Sequence, residues 1–161
     1  MRKINRLTII LLVLLLTSLS GLAQTVGYKA SGCSIKCGVA RQDTTYYVTV
    51  MLESGKFAFL NEPIMMLKTF DDQVIKLQGT NIGNSSKSEG GVVVGYAYLS
   101  ETKILSSAQF KITAEQLELL NTGVAKIRLS TSPFELEKTF KKDKVGKKLY
   151  EFFTKYKDNE F

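Results

Sequence analysis

Between Cys33 and Phe140 the chain alternates apolar and polar positions with a period of two, and that pattern predicts strands. Cys33, Ile35, Cys37 and Val39 share one face, with Ser34, Lys36, Gly38 and Ala40 on the other. Arg41-Gln42-Asp43 reads as a turn. Tyr46, Val48, Val50 and Leu52 then alternate with Tyr47, Thr49 and Met51, completing a hairpin with one apolar face. Glu53–Lys56 is a second turn. Phe57–Leu60 is a short apolar piece stopped by Asn61-Glu62-Pro63. Ile64–Phe70 and Val74–Leu77 form a second hairpin about Asp71-Asp72. Val92–Leu99 is apolar on both faces and predicts a central strand; Ile104–Ile112 and Phe134–Phe140 predict two more. Residues 24–31 are polar and read as loose. Gly79–Gly91 holds four Gly, three Ser and two Asn, and reads as a loop well beyond the usual ~4–6 residues.

The best-formed stretch is Ala108–Thr131. Thr113 and Gln116 have the spacing of a capping box, and Ile112 and Leu117 that of a hydrophobic staple. Gly123 stands where a helix exit takes a left-handed residue. Ala125, Ile127 and Leu129 then alternate with Lys126 and Arg128, the two side chains in this stretch left to face a partner. Near the end, Asp143 can cap a helix whose apolar positions are Val145, Leu149, Phe152 or Phe153, and Tyr156, with Gly146 weakening it slightly.

The elements predict a mainly β fold: about eight antiparallel strands as a β-sandwich, with a partly open barrel as the alternative. A short helix near 114–121 and a C-terminal helix near 143–157 complete it.

Composition adds a leader. Arg2, Lys3 and Arg6 precede the unbroken apolar run Ile9–Leu16, and Gly21 and Ala23 supply small residues before Gln24. Residues 1–23 therefore read as a cleaved signal peptide and residues 24–161 as one β-rich domain, periplasmic or extracellular. The rival, an uncleaved anchor, needs roughly 20 apolar residues, and this run is shorter. Cys33 follows small residues in the manner of a lipoprotein cysteine, but Gln24 and Lys29 separate it from the apolar run. Losing the three leader charges lowers the net charge from +7 to +4, a balance that points away from nucleic acid.

The 161 residues include no His and no Trp, which excludes Ser-His-Asp triads, Cys-His dyads and His-based metal sites. Cys33 and Cys37 lie four apart. On a strand that is ~13 Å, beyond disulfide reach, so two buried free thiols are expected; a helix or a bulge would permit the bond. Lys138, Lys141, Lys142, Lys144, Lys147 and Lys148 form a basic cluster. Of these, Lys141, Lys142, Lys144, Lys147 and Lys148 are the candidate contacts to an anionic surface, against the plainer reading of a solvated helix face. Tyr46-Tyr47 and Tyr96 with Tyr98 suit a sheet as well as a partner. Asp71-Asp72, Glu115 with Glu118, and Glu135 with Glu137 are each explained by a turn, a helix start or an outward strand face.

The stretch KITAEQLELLNTGVAKIRL, a following strand and KKDKVGKKLYEFF together resemble small exported bacterial β-rich domains of unknown function, over residues 110–153. The resemblance implies a β-rich build and export, and brings no catalytic residue. The functional expectation is an exported, non-enzymatic binding module of the bacterial cell envelope, with a hydrolase working through carboxylates or a Ser–Lys pair as the alternative. No cofactor is expected. The expected partner is a protein or envelope polymer, with no nucleic acid. Membrane contact is expected only through an uncleaved leader or weak basic-surface attraction. Gly79–Gly91 and the lysines are the expected contact surfaces.

Overall fold

The computed structural model describes residues 24–158; the leader expected at 1–23 lies outside them. The architecture is mainly antiparallel β, as expected. Eight strands run β1 (Thr25–Ala30), β2 (Cys33–Gln42), β3 (Thr45–Ser54), β4 (Ile64–Thr69), β5 (Val74–Val94), β6 (Ala97–Ile112), β7 (Val124–Thr131) and β8 (Phe134–Thr139). They form one sheet in the order β1-β2-β3-β6-β5-β4-β7-β8. The sheet curls until its two edge strands approach each other, with the Tyr28 and Phe140 rings edge to face at 5.4 Å. Of the two arrangements expected, it takes the partly open barrel.

Inward positions follow the alternation. Ile35, Cys37 and Val39 on β2, Val48, Val50 and Leu52 on β3, Met65 and Leu67 on β4, and Ile127 and Leu129 on β7 are all buried. Helix α1 (Ala114–Leu119) has the full capping box of Thr113 and Gln116 and runs into a 3₁₀ turn, Leu120–Thr122. Gly123 leaves that turn with φ +86°. Helix α2 (Gly146–Asp158) buries Leu149 and Phe153 over the same end of the barrel. Asp143 caps it, as expected, accepting from the backbone N–H of Gly146 at 2.8 Å and Lys147 at 2.9 Å.

Three expectations are corrected. Residues 24–31 are not loose: Thr25–Ala30 is an edge strand paired with β2 along its whole length. Gly79–Gly91 is not a loop but the middle of β5, a strand of 21 residues. Val92–Leu99 is not one central strand: a turn at Gly95-Tyr96 divides it between β5 and β6.

Strand β5 changes partner along its length. Val74–Gln78 pairs with β4, and Gly79–Val94 pairs with β6. At the switch, Gly79 donates its N–H to Pro63 O at 2.8 Å. Past it, the edge of β5 turned away from β6 meets no further strand. A strap, residues 55–63, lies there instead. Asn81 Nδ2 and Asn84 Nδ2 donate to Phe59 O at 2.6 and 3.0 Å. Phe59 N donates to Ser106 Oγ at 2.8 Å, and Leu60 N to Thr131 Oγ1 at 2.9 Å. The buried hydroxyls Ser54, Ser106 and Thr131 thus satisfy backbone groups that no ladder reaches. Phe57 and Phe59 drop from the strap into the core, edge to face at 5.5 Å.

Candidate functional site

The β5–β6 hairpin outgrows the barrel. Strand β3 follows β6 only as far as Ser54 opposite Ile104, and β4 follows β5 only to Gln78. Beyond Ser86–Ile104 the two strands have only each other, from Lys87 opposite Lys103 to Val94 opposite Ala97. At ~3.3 Å per residue this is an arm of about 20 Å. Lys87, Ser88, Gly90 and Thr102 are exposed along it. At the tip Val93 is 67% exposed and Tyr96 fully so. Isolated apolar residues on a surface are ordinary; here two stand at the end of a projecting ribbon.

At the root of the arm is a cavity of about 530 Å³, lined by Lys29, Cys33, Glu53, Ser54, Lys103 and neighbouring backbone. It gathers the residue types a Ser–Lys hydrolase would need, but its buried serine, Ser54, and Lys103 are bonded elsewhere. Ser54 Oγ accepts from the backbone N–H of Lys56 and Phe57, each at 3.0 Å, and lies 3.2 Å from Cys33 Sγ. Lys103 Nζ lies 3.4 Å from Glu53. Ser54 is therefore a structural pin of the strap.

Both cysteines are free and stand on the inward face of β2. Burial pushes the Cys37 thiol up to about 12, against a smaller opposite effect of the Tyr28 hydroxyl beside it. That hydroxyl is itself buried without a well-formed hydrogen bond, and desolvation with the neighbouring thiol pushes it up as well. Thiol titration is expected to find two reactive groups in denaturant and slow reaction in the native state; fewer than two in denaturant would contradict the free thiols.

A second depression, about 310 Å³, lies on the outer face of the barrel below the arm, against Lys36, Met51, Leu105 and Ser107. Ile82, with Leu105 and Ser107, lines a neighbouring hollow of about 330 Å³.

The candidate lysines Lys141, Lys142, Lys144, Lys147 and Lys148 are all exposed and surround the start of α2. Strand directions place them with α1 and α2 at the end of the barrel opposite the arm. The two expected contact surfaces therefore do not combine. The backbone N–H groups of that helix start are taken by Asp143, and Lys148 lies 3.0 Å from Glu151.

Lys126 and Arg128 are not left for a partner. Lys126 Nζ is 2.9 Å and Arg128 Nη2 2.7 Å from Glu137, with Glu135 3.4 Å from Arg128. Hydrogen bonds from Lys126 and Arg128 hold the Glu137 carboxyl below its ordinary range. Asp71 accepts from the hydroxyls of Thr69 and Thr122, which lower it likewise. Among the described residues no group of three or more His, Cys, Asp or Glu is placed to hold a metal ion. No helix among them is long and apolar enough to cross a membrane. No family model matches the chain, and no curated protein or solved structure is significantly similar to it.

Proposed function

We propose that the chain is an exported, non-enzymatic binding module of the cell envelope, which meets a protein or polymer partner through the β5–β6 arm. The observation that carries this reading is the exposed apolar tip, Val93 and Tyr96, held away from the barrel on a strand-paired ribbon. An arm of this kind has no part in closing the core. It exposes apolar side chains that a self-contained domain has no use for. Export, read from the pattern of residues 1–23, fits a periplasmic or extracellular setting.

The test shortens the arm. Ser86 and Ile104 are ladder partners, so an Asn-Gly turn can join them in place of residues 87–103. The shortened chain is expected to keep its melting temperature within a few degrees, because residues 87–103 lie beyond the last β3–β6 pair, Ser54–Ile104, and the Lys103–Glu53 pair lost with them is a surface one. It is expected to lose the partner that the full chain retains from envelope extracts. Equal capture by both chains would overturn the arm as the contact element.

A further inference from the structure

We propose that the end of the barrel opposite the arm rests on an anionic lipid bilayer, with Phe70 entering the headgroup layer among exposed lysines. This contact is independent of the arm: the two lie at opposite ends of the barrel.

Charge that the fold leaves uncompensated gathers at the start of α2. Lys141, Lys142, Lys144 and Lys147 are exposed, and their ammonium groups make no hydrogen bond or ion pair among the described residues. They crowd the end where a helix already carries positive partial charge, and where cations are unfavourable. Asp143, the carboxylate in their midst, is engaged by four backbone N–H groups. The helix start therefore offers no bare N–H groups to a small anion. What it presents is a cationic surface.

An exposed apolar side chain stands in the same place. Phe70, 44% exposed, and Val74, 58% exposed, flank the turn between β4 and β5. Phe70 and Asp143 pack against one glycine: a Cβ on Gly123 would lie 3.3 Å from Phe70 Cδ2 and 2.8 Å from Asp143 Cβ. Phe70 N donates to Gly123 O at 3.1 Å, which fixes this residue beside the lysine segment. The acids of the turn are held: Asp72 lies 2.7 Å from Lys68, and Asp71 accepts from Thr69 and Thr122. Lysines around an exposed aromatic ring suit a headgroup layer, where the ring enters the acyl boundary and the ammonium groups meet lipid phosphates.

The path of the chain selects a bilayer over other polyanions. Gln24 follows the residues read as the leader, and its side chain accepts from Lys155 Nζ at 3.0 Å. Lys155 is on α2, about 12 Å along the helix from Lys147. The chain therefore enters the fold at the lysine end. Eight residues carry it from Leu16, the last of the unbroken apolar run, to Gln24, a reach of at most about 28 Å. While that run sits in a membrane, the lysine end is the part of the domain brought to the surface, and the arm is turned away from it. After cleavage the lysines and Phe70 alone hold the contact, which is then reversible and weakened by salt.

The protein has no tryptophan, so Phe70→Trp places a single fluorescent reporter at a half-exposed position. The full chain, expressed with its own leader and purified in the form the cells yield, is titrated at low salt with two kinds of vesicle. One is phosphatidylcholine with about 30% phosphatidylglycerol, the other phosphatidylcholine alone. The emission is expected to shift to shorter wavelength with the anionic vesicles only, and the shift to be lost in about 0.5 M salt. Lys141→Glu with Lys142→Glu, and separately Lys144→Glu with Lys147→Glu, are each expected to weaken binding at least about tenfold. Acids suit a helix start, so the second pair is expected to keep or raise the melting temperature, which separates lost binding from lost folding. Flotation of the chain with its own Phe70 is expected to show the same loss on lysine reversal. An unshifted emission with anionic vesicles overturns the proposal, as does an equal shift with neutral ones. So does binding that survives both lysine pairs, or a lysine-dependent response to soluble heparin with none to vesicles. The arm-shortened chain is expected to bind vesicles as the full chain does, and its failure to do so would also overturn the proposal. Normal vesicle binding without arm-dependent capture from extracts would refute the binding reading and leave this one standing.

Discussion

Gly79→Val is expected to destabilise the protein by about 3 kcal/mol or more, measured as the midpoint shift in a urea titration. A Cβ at this position would lie 2.5 Å from Phe110 Cδ1 and 2.8 Å from the backbone oxygen of Gln109. Phe110 is fully buried and has nowhere to go. The glycine sits where β5 leaves β4 and takes up β6, so relief by backbone movement would disturb both ladders and the bond from Gly79 N to Pro63 O. Against a typical total of 5–15 kcal/mol, a loss of that size leaves little reserve. A valine variant of near wild-type stability would mean that the corner is looser than the geometry described here.

Asp143→Ala is expected to cost about 2–3 kcal/mol, and its cost is expected to depend on pH. The Asp143 carboxylate accepts from four backbone N–H groups: Val124 at 2.8 Å, Val145 at 3.3 Å, Gly146 at 2.8 Å and Lys147 at 2.9 Å. It ties the start of β7 to the start of α2, and Val124 is fully buried, so its N–H would lose a partner that water cannot replace. Partial burial works to raise the Asp143 pKa, but the four donors outweigh it and the net shift is downward. A carboxyl lowered in the folded state contributes stability that is complete above its unfolded pKa, about 4, and is lost as pH falls through the folded value. The wild type should therefore lose stability below about pH 4 more steeply than Asp143→Ala. Comparing the two isolates this group from Asp71, Glu115 and Glu137, which are lowered as well and act in the same direction. Parallel acid limbs would contradict the role. Gly146, which weakens the helix in isolation, belongs to the same junction: a Cβ there would meet Val124 N at 2.6 Å.

Alternation was readable where one strand face is buried and the other wet. The β2–β3 hairpin, β4, and β7 with its capped helix follow from that rule alone. The arm defeats it. Gly79–Gly91 reads as a loop because a ribbon exposed on both faces carries no apolar stripe to mark its period. Val92–Leu99 reads as a buried strand because apolarity on both faces ordinarily means burial on both, and here Val93 and Tyr96 at a tip are exposed instead. The available signal was Gly95 with Tyr96 in the middle of an apolar run, a turn hidden by its neighbours. Lys126 and Arg128 looked free because their partners, Glu135 and Glu137, are set by the β7–β8 register, which spacing within one strand does not express. Thr25–Ala30 was hidden by its polar residues, although Tyr28 and Ala30 keep the inward period.

The binding reading stands on one structural claim, that residues 79–103 form a register-locked ribbon and not a loop. The direct measurement is solution NMR of the chain in isolation. Cross-strand proton contacts are predicted between Lys87 and Lys103, Ser88 and Thr102, and Val93 and Tyr98, with slowed amide exchange at the ladder positions nearest the barrel. Sequential contacts alone from Gly79 to Gly91, with exchange at the rate of an unstructured chain, would contradict it.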